Sequence, residues 1–98
     1  MTAYLIANIT VTDPEAYKSY RDGVAPVLAQ YGGRFLVRAG TIHPLEGDLG
    51  IDRCVVIEFP SREAAQRFYD SPEYAPLLKL RLAAARSKMA IVEGYASA

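Results

Sequence analysis

From Ala3 to Val11 the chain sorts its side chains by parity. Leu5, Ala7, Ile9 and Val11 fall on one side of an extended backbone, and Tyr4, Ile6, Asn8 and Thr10 on the other. The β-branched and aromatic content of this run predicts strand one. The period then changes. Thr12-Asp13-Pro14-Glu15 supplies a cap residue, a proline at the first helical position and an acid in the first turn. Tyr17, Tyr20, Val24, Val27, Leu28 and Tyr31 follow at steps of three and four, the apolar face of a helix. Gly23 weakens that helix and Pro26 removes a hydrogen-bond donor, which predicts a kink or break near residues 22–25. Gly32-Gly33 stops it.

Two strands come next, Arg34 to Gly40 and Arg53 to Phe59, joined by a long turn-rich loop from Thr41 to Asp52. Ser61 caps the following helix, whose inward face is Ala64, Ala65, Phe68 and Tyr69. Ser71-Pro72-Glu73 repeats the cap, proline and acid signature and begins a second helical segment. Tyr74, Leu77, Leu78, Arg81, Leu82 and Ala85 share one side of it, and the last strand runs from Lys88 to Glu93.

The order β-α-β-β-α-β predicts an α+β, ferredoxin-like sandwich: one four-stranded antiparallel sheet with both crossover helices on one face. Parity assigns Leu5, Ala7, Ile9 and Val11, Phe35, Val37 and Ala39, and Val55, Ile57 and Phe59 to the face under the helices. The opposite face receives Tyr4, Ile6, Asn8, Thr10, Arg34, Leu36, Arg38, Cys54, Val56 and Glu58. An exposed apolar patch of that extent, a few hundred Å², predicts a second copy of the chain stacked there.

The chain has 98 residues, 11 Lys+Arg against 11 Asp+Glu, and a net charge of zero. That length predicts a single domain over residues 1–98. Balanced charge argues against nucleic acid as a partner. A single cysteine, Cys54, excludes an internal disulfide. No leader and no apolar run near 18 residues is visible, which predicts a cytoplasmic protein without a membrane partner.

Taken together, Tyr31-Gly-Gly-Arg-Phe-Leu-Val-Arg38, Leu45-Glu-Gly-Asp48, Arg53 with Val55-Val-Ile-Glu-Phe-Pro-Ser61, and Tyr69-Asp-Ser-Pro-Glu-Tyr74 with Arg81 resemble the bacterial domain-of-unknown-function family numbered 1330. The resemblance runs from strand one to Val92-Glu-Gly94. It implies the dimeric α+β barrel superfamily, in which two ferredoxin-like subunits pack sheet against sheet. Superfamily relatives include cofactor-free quinone-forming monooxygenases, muconolactone isomerases and heme-degrading monooxygenases. Where many members carry a second glycine after the strand-two arginine, this chain has Ala39-Gly40. Asn8 fits the heme-degrading pattern, but the chain has no Trp, and no His in its second helical region to ligate iron.

Candidate chemistry is sparse. Ser61 and Ser71 each precede a helix, so capping explains both. His43, the lone histidine, lies in the long loop, and no spacing suits a metal site, so neither metal nor cofactor is expected. Asn8, Arg38 and Glu58 interrupt three strands on the uncovered face. Hairpin pairing predicts an Arg38–Glu58 contact, either an ion pair fixing registry or part of a polar pocket. Tyr17, Tyr20, Tyr69, Tyr74 and Arg81 face the sheet from the helices, as core or as the lining of a cleft. Two readings follow. One is a cofactor-independent enzyme acting on an aromatic or carbonyl metabolite, with His43, Arg38 and Glu58 as catalytic candidates and Asn8, Tyr17, Tyr20, Tyr69, Tyr74 and Arg81 as substrate contacts. The other is a non-catalytic homodimer that binds a ligand or serves structurally. Any ligand is expected to enter beside the 41–52 loop, whose glycines allow movement.

Overall fold

Each crossover begins where a side chain takes over an orphan backbone N–H. The structure, a computed structural model, describes residues 1–95. Strand β1 (Ala3–Val11) ends at Asp13, whose carboxylate accepts from Ala16 N at 3.2 Å and caps helix α1 (Pro14–Gln30). Strands β2 (Arg34–Arg38) and β3 (Cys54–Phe59) follow. Ser61 Oγ accepts from Ala64 N at 3.0 Å to start α2 (Arg62–Tyr69). Ser71 Oγ does two jobs between helices, donating to Phe68 O at 2.8 Å and accepting from Tyr74 N at 3.1 Å. Helix α3 (Ala75–Ala84) then runs directly into β4 (Ala85–Glu93).

The four strands form one antiparallel sheet in the order β2-β3-β1-β4, the ferredoxin-like arrangement. Its thinnest principal extent is 16 Å, room for one helical layer on one sheet. Leu5, Ala7, Ile9, Val55, Ile57 and Phe59 are buried on the helix side against Val24, Leu28, Ala64, Ala65 and Phe68. On the other side no helix among the described residues covers the sheet, and Ile6, Leu36, Val37 and Val92 are 37–47% exposed.

Apart from small shifts at the starts of β3 and α3, at Cys54 and Ala75, the structure departs from the sequence expectation at four places. Helix α1 is not broken at residues 22–25 and continues through Pro26. Gly23 serves a contact instead: a Cβ there would lie 2.9 Å from Leu77 Cδ2, so the glycine lets α3 approach. Strand β4 begins at Ala85 rather than Lys88, because Val11 pairs with Ala85 and extends the ladder to the helix end. Strand β2 stops at Arg38 rather than Gly40, since Ala39 turns into the left-handed region at φ 58°.

The fourth departure matters most. Arg34 pairs with Glu58 and Phe35 with Ile57, but Val37 pairs with Val56 and Arg38 with Val55. One extra residue, a β-bulge at Leu36, shifts the register and swaps the faces beyond it. Val37, expected under the helices, opposes Val56 on the open face and is 37% exposed. Arg38, expected on the open face, moves to the helix side with Val55.

Candidate functional site

Between the helical layer and the sheet lies a cavity lined chiefly by apolar side chains: Leu5, Ala7, Ile9, Val24, Val55 and Ile57 among them. Water reaches about 30 Å³ of its interior. One water needs about 10–15 Å³, so the closed interior is small and a ligand must part the layers to enter fully.

Three tyrosines from two helices line it. Tyr17 and Tyr20 come from successive turns of α1, with ring centroids 5.5 Å apart, and Tyr74 caps α3. Tyr74 is 1% exposed and stacks on Phe68 at 4.5 Å and on Tyr20 edge-on at 6.3 Å. Its hydroxyl is 2.9 Å from the Tyr20 hydroxyl and accepts from Arg81 Nε at 3.3 Å. Arg81 donates to Tyr74, and either phenol can donate to the other; when Tyr74 donates, the Tyr20 O–H is free to donate onward. Burial, followed by the neighbouring Tyr74, pushes the Tyr20 pKa well above the usual phenol value, so at neutral pH Tyr20 is a hydrogen-bond donor. Burial works against the Arg81 charge, yet the phenols of Tyr74, Tyr20 and Tyr69 outweigh it and raise its pKa. Arg81, 3% exposed, is a buried cation without a carboxylate within 4.0 Å among the described residues.

At the end nearest the long loop three further arginines join the lining: Arg21 from α1, Arg38 from β2 and Arg53 beside β3. Arg38 lies over Phe35, 4.3 Å from the ring centroid, and donates through Nη2 to Arg21 O. Arg53 sits over Tyr17 at 5.4 Å, and its Nε is buried without a hydrogen-bond partner among the described residues. Ala39 and Arg53 flank the loop and both line the cavity, so its mouth adjoins residues 41–52.

Of the residues singled out from sequence, the fold gathers Tyr17, Tyr20, Tyr74 and Arg38 around this cavity, with Arg81 behind Tyr74. The expected Arg38–Glu58 pair does not form. Glu58 binds Arg34 Nε at 2.8 Å on the open face, because the bulge carries Arg38 to the other side. Tyr69, with its ring 5.8 Å from that of Tyr74, lines a separate shallow depression with Gln66, Met89 and Ile91. Asn8 ties the loop to the sheet, donating to Gly50 O at 3.1 Å and accepting from Asp52 N at 2.9 Å. His43 lies out on the exposed loop among Ile42, Pro44 and Leu45, away from the cavity lining. Arg21 and Arg53 are the cavity residues that sequence reasoning passed over. Their signals were present: Arg21 is one turn from Tyr17 on the same helical stripe, and Arg53 shares the parity of Val55 and Ile57. Among the described residues no cluster of three or more His, Cys, Asp or Glu side chains could hold a metal, and no helix is long and apolar enough to cross a membrane.

One antiparallel sheet in this strand order, with its helices on a single face and a cavity between the layers, defines a ferredoxin-like α+β protein. Solved structures of this class resemble it. A Rhodopseudomonas palustris protein of unknown function aligns over 98% of this chain and 84% of its own at 20% identity and a TM-score of 0.78. SnoaB, a cofactor-independent oxygenase from Streptomyces nogalater, aligns over 98% and 95% at 18% identity and a TM-score of 0.66. A dimeric ferredoxin-like protein of unknown function from Jannaschia sp. CCS1 aligns over 96% and 100% at 11% identity and a TM-score of 0.66. At these identities the likeness is one of fold. No curated protein matches the sequence. Residues 2–95 match the domain of unknown function DUF1330, and the chain belongs to that family.

Proposed function

We propose that this chain is a homodimeric, cofactor-independent enzyme that acts on a small aromatic or carbonyl-bearing molecule held between its helices and its sheet. The observation that carries the reading is the buried Arg81–Tyr74–Tyr20 array ending at the cavity. A cation donating into a phenol that can in turn donate to a second phenol polarises the last hydroxyl toward a substrate oxygen. Donors fixed in a dry site stabilise charge as it develops on that oxygen and need no reorganisation when it does. A phenol held protonated by burial suits this task and is unsuited to removing a proton. SnoaB shares the fold and is a cofactor-independent oxygenase, which supports the enzyme class without supplying a substrate. Glu58 and His43 lie outside the cavity lining and have no part in this proposal.

The dimer rests on the sheet face left bare. The chain exposes 6424 Å², whereas a compact monomer of its mass exposes roughly 5,500 Å². The difference, roughly 900 Å², is close to what one partner buries in a standard interface, about 800 Å². Static light scattering should give about twice 10.7 kDa, and a monomer at micromolar concentration refutes the dimer.

A second reading, ligand binding without turnover, is favoured by one fact: the described cavity lining holds no histidine, carboxylate or cysteine to move a proton near neutrality. Incubation with a panel of enolisable aromatic ketones and phenols, followed by mass spectrometry, separates the two. Turnover that Tyr20→Phe and Tyr74→Phe reduce by about 10²-fold or more supports the enzyme. Thermal stabilisation of the protein by these compounds without product supports the binder.

A further inference from the structure

The cavity has a charge asymmetry that the phenol array does not explain. The chain carries equal numbers of acids and bases, yet three of its arginines line this cavity and no aspartate or glutamate does. Arg21 Nε reaches the exposed carboxylate of Asp22 at 3.4 Å, which does not line the cavity. Arg38 and Arg53 have no carboxylate within 4.0 Å among the described residues. Arg38 spends one donor on the Arg21 carbonyl, and its guanidinium carbon lies 4.3 Å from the Phe35 ring centroid. Arg53 is stranger still: its Nε is buried and has no hydrogen-bond partner among the described residues. A buried donor left unmatched is costly in a folded protein and calls for an acceptor that binding would supply.

The two polar ends of the cavity are also separated. Arg53 stands opposite Ile9 on the sheet, with Ile9 N donating to its carbonyl at 3.0 Å. Tyr74 stacks on Phe68, which stacks on Phe59 toward the far end of β3, opposite Ala3. From Arg53 to Ile57 the strand runs four residues, about 13 Å. The surface between is apolar: Ala7, Val55, Leu5 and Ile57 below, Val24 above.

We infer that the cavity selects an organic anion: a small molecule with a flat or unsaturated apolar body and one carboxylate. The carboxylate is held by Arg53 and Arg38 at the loop end, and the body extends toward the Tyr20–Tyr74 hydroxyls. The inference rests on the reading of this cavity as a ligand site and adds the charge its ligand carries. Planar guanidinium groups bind carboxylates through paired hydrogen bonds, and in a partly desolvated mouth the pairing discriminates strongly against a neutral amide of the same shape. Arg38 meets the face of Phe35 and Arg53 that of Tyr17, and an aromatic face attracts a cation that has no carboxylate partner.

The test uses the full chain and four probes: benzoate, trans-cinnamate, the neutral cinnamamide and inorganic phosphate. Affinity is read by calorimetry and by thermal shift at low and high salt. The expected result is that cinnamate binds at least about tenfold more tightly than cinnamamide. Its affinity should fall with added salt, phosphate should not compete, and Arg53→Gln should abolish the preference while leaving the unliganded protein as stable or more so. Arg38→Gln should weaken cinnamate in the same direction. Equal binding of cinnamate and cinnamamide, both lost in Tyr74→Phe, overturns the inference and leaves the cavity reading standing. Phosphate competing as well as cinnamate overturns it in favour of a general anion patch. Binding of no probe, with Tyr20→Phe and Tyr74→Phe catalytically silent, overturns both.

Discussion

Replacing Tyr74 with phenylalanine is the sharpest perturbation the site offers, because it removes one oxygen and keeps the ring that Phe68, Tyr20 and Tyr69 pack against. That oxygen has two partners: Arg81 Nε at 3.3 Å and the Tyr20 hydroxyl at 2.9 Å. Its loss leaves a buried cation and a buried phenol facing a hydrogen atom. An unsatisfied neutral group costs about 1–3 kcal/mol and a charged donor somewhat more, so the sum is about 3 kcal/mol for Tyr74→Phe. Tyr20→Phe should cost only about 1 kcal/mol, since Tyr74 keeps its bond from Arg81. In a domain of this size each kcal/mol moves Tm by about 4–8 °C, so Tyr74→Phe should melt roughly 12–24 °C lower and Tyr20→Phe roughly 4–8 °C lower. The double variant should cost less than the sum, because removing the Tyr20 hydroxyl also removes one of the groups that Tyr74→Phe strands. Circular-dichroism melts and urea titrations of the four proteins measure the cycle. Equal costs for the two single variants, with strict additivity in the double, would mean that the hydroxyls are hydrated separately and that no relay reaches the cavity.

Three further outcomes are expected. Burial, with Tyr74 behind it, raises the Tyr20 pKa in the folded state above its unfolded value of about 10, so the stability this phenol contributes is complete below that pH and declines as pH rises toward the folded pKa; the urea midpoint should fall more steeply above about pH 10 in the parent than in Tyr20→Phe, and parallel curves would show a hydrated phenol. Asn8→Ala removes two of the bonds that pin the loop end to the sheet and leaves the one from Thr10 to the Asp52 carboxylate, which should cost about 1–2 kcal/mol and speed proteolytic nicking between Thr41 and Asp52; unchanged nicking means the loop is held by the remaining contacts. Ala39 sits at φ 58°, where a Cβ costs about 1–2 kcal/mol that glycine avoids, partly offset by the freer unfolded chain; Ala39→Gly should therefore raise stability by about 0.5–1 kcal/mol in urea, and a loss would mean that the Cβ makes a packing contact worth more than the strain.

The fold was legible because its signals are local and redundant. Asp13 before Pro14, Ser61 before Arg62, and Ser71 before Pro72 each announce a helix start or turn, and the structure uses all three side chains as hydrogen-bond acceptors. Alternation from Ala3 to Val11 fixed which side of β1 is buried, and Gly32 takes the positive φ (80°) that a helix stop needs. Gly23 misled because a glycine in a helix reads as a weakness, whereas here the neighbour it admits, Leu77, is 54 positions away and cannot be inferred from residues 20–26. The phenols were found for the right reason, helical spacing, but spacing alone cannot distinguish a core stripe from a cavity wall. That distinction depends on how closely α1, α3 and the sheet approach one another.

The face of Arg38 was misread, and the reason is physical. Strand parity carries information only as long as the register holds, and one inserted residue reverses every assignment downstream of it. Arg34 and Arg38 have the same parity in the sequence, four residues apart, and a regular strand would put both guanidinium groups on the open face with Glu58. The bulge at Leu36 divides them: Arg34 stays opposite Glu58, and Arg38 crosses to meet Arg21, Phe35 and the cavity. The same shift exposes Val37 on the face proposed for the partner subunit. One irregularity thus enlarges the apolar patch on one side of the sheet while delivering a cation to the other. Bulges re-aim side chains in this way at sheet edges and beside functional sites, and β2 is an edge strand. Deleting Leu36 would keep Arg38 opposite Val55, because three regular steps from Arg34 carry it to the helix side; pairing Leu36 with Val56 in an unbulged strand would instead return Arg38 to the open face. That pairing would leave Arg53 as the only strand-side cation at the cavity, so the bulge itself, more than any one side chain of β2, sets the charge of the mouth.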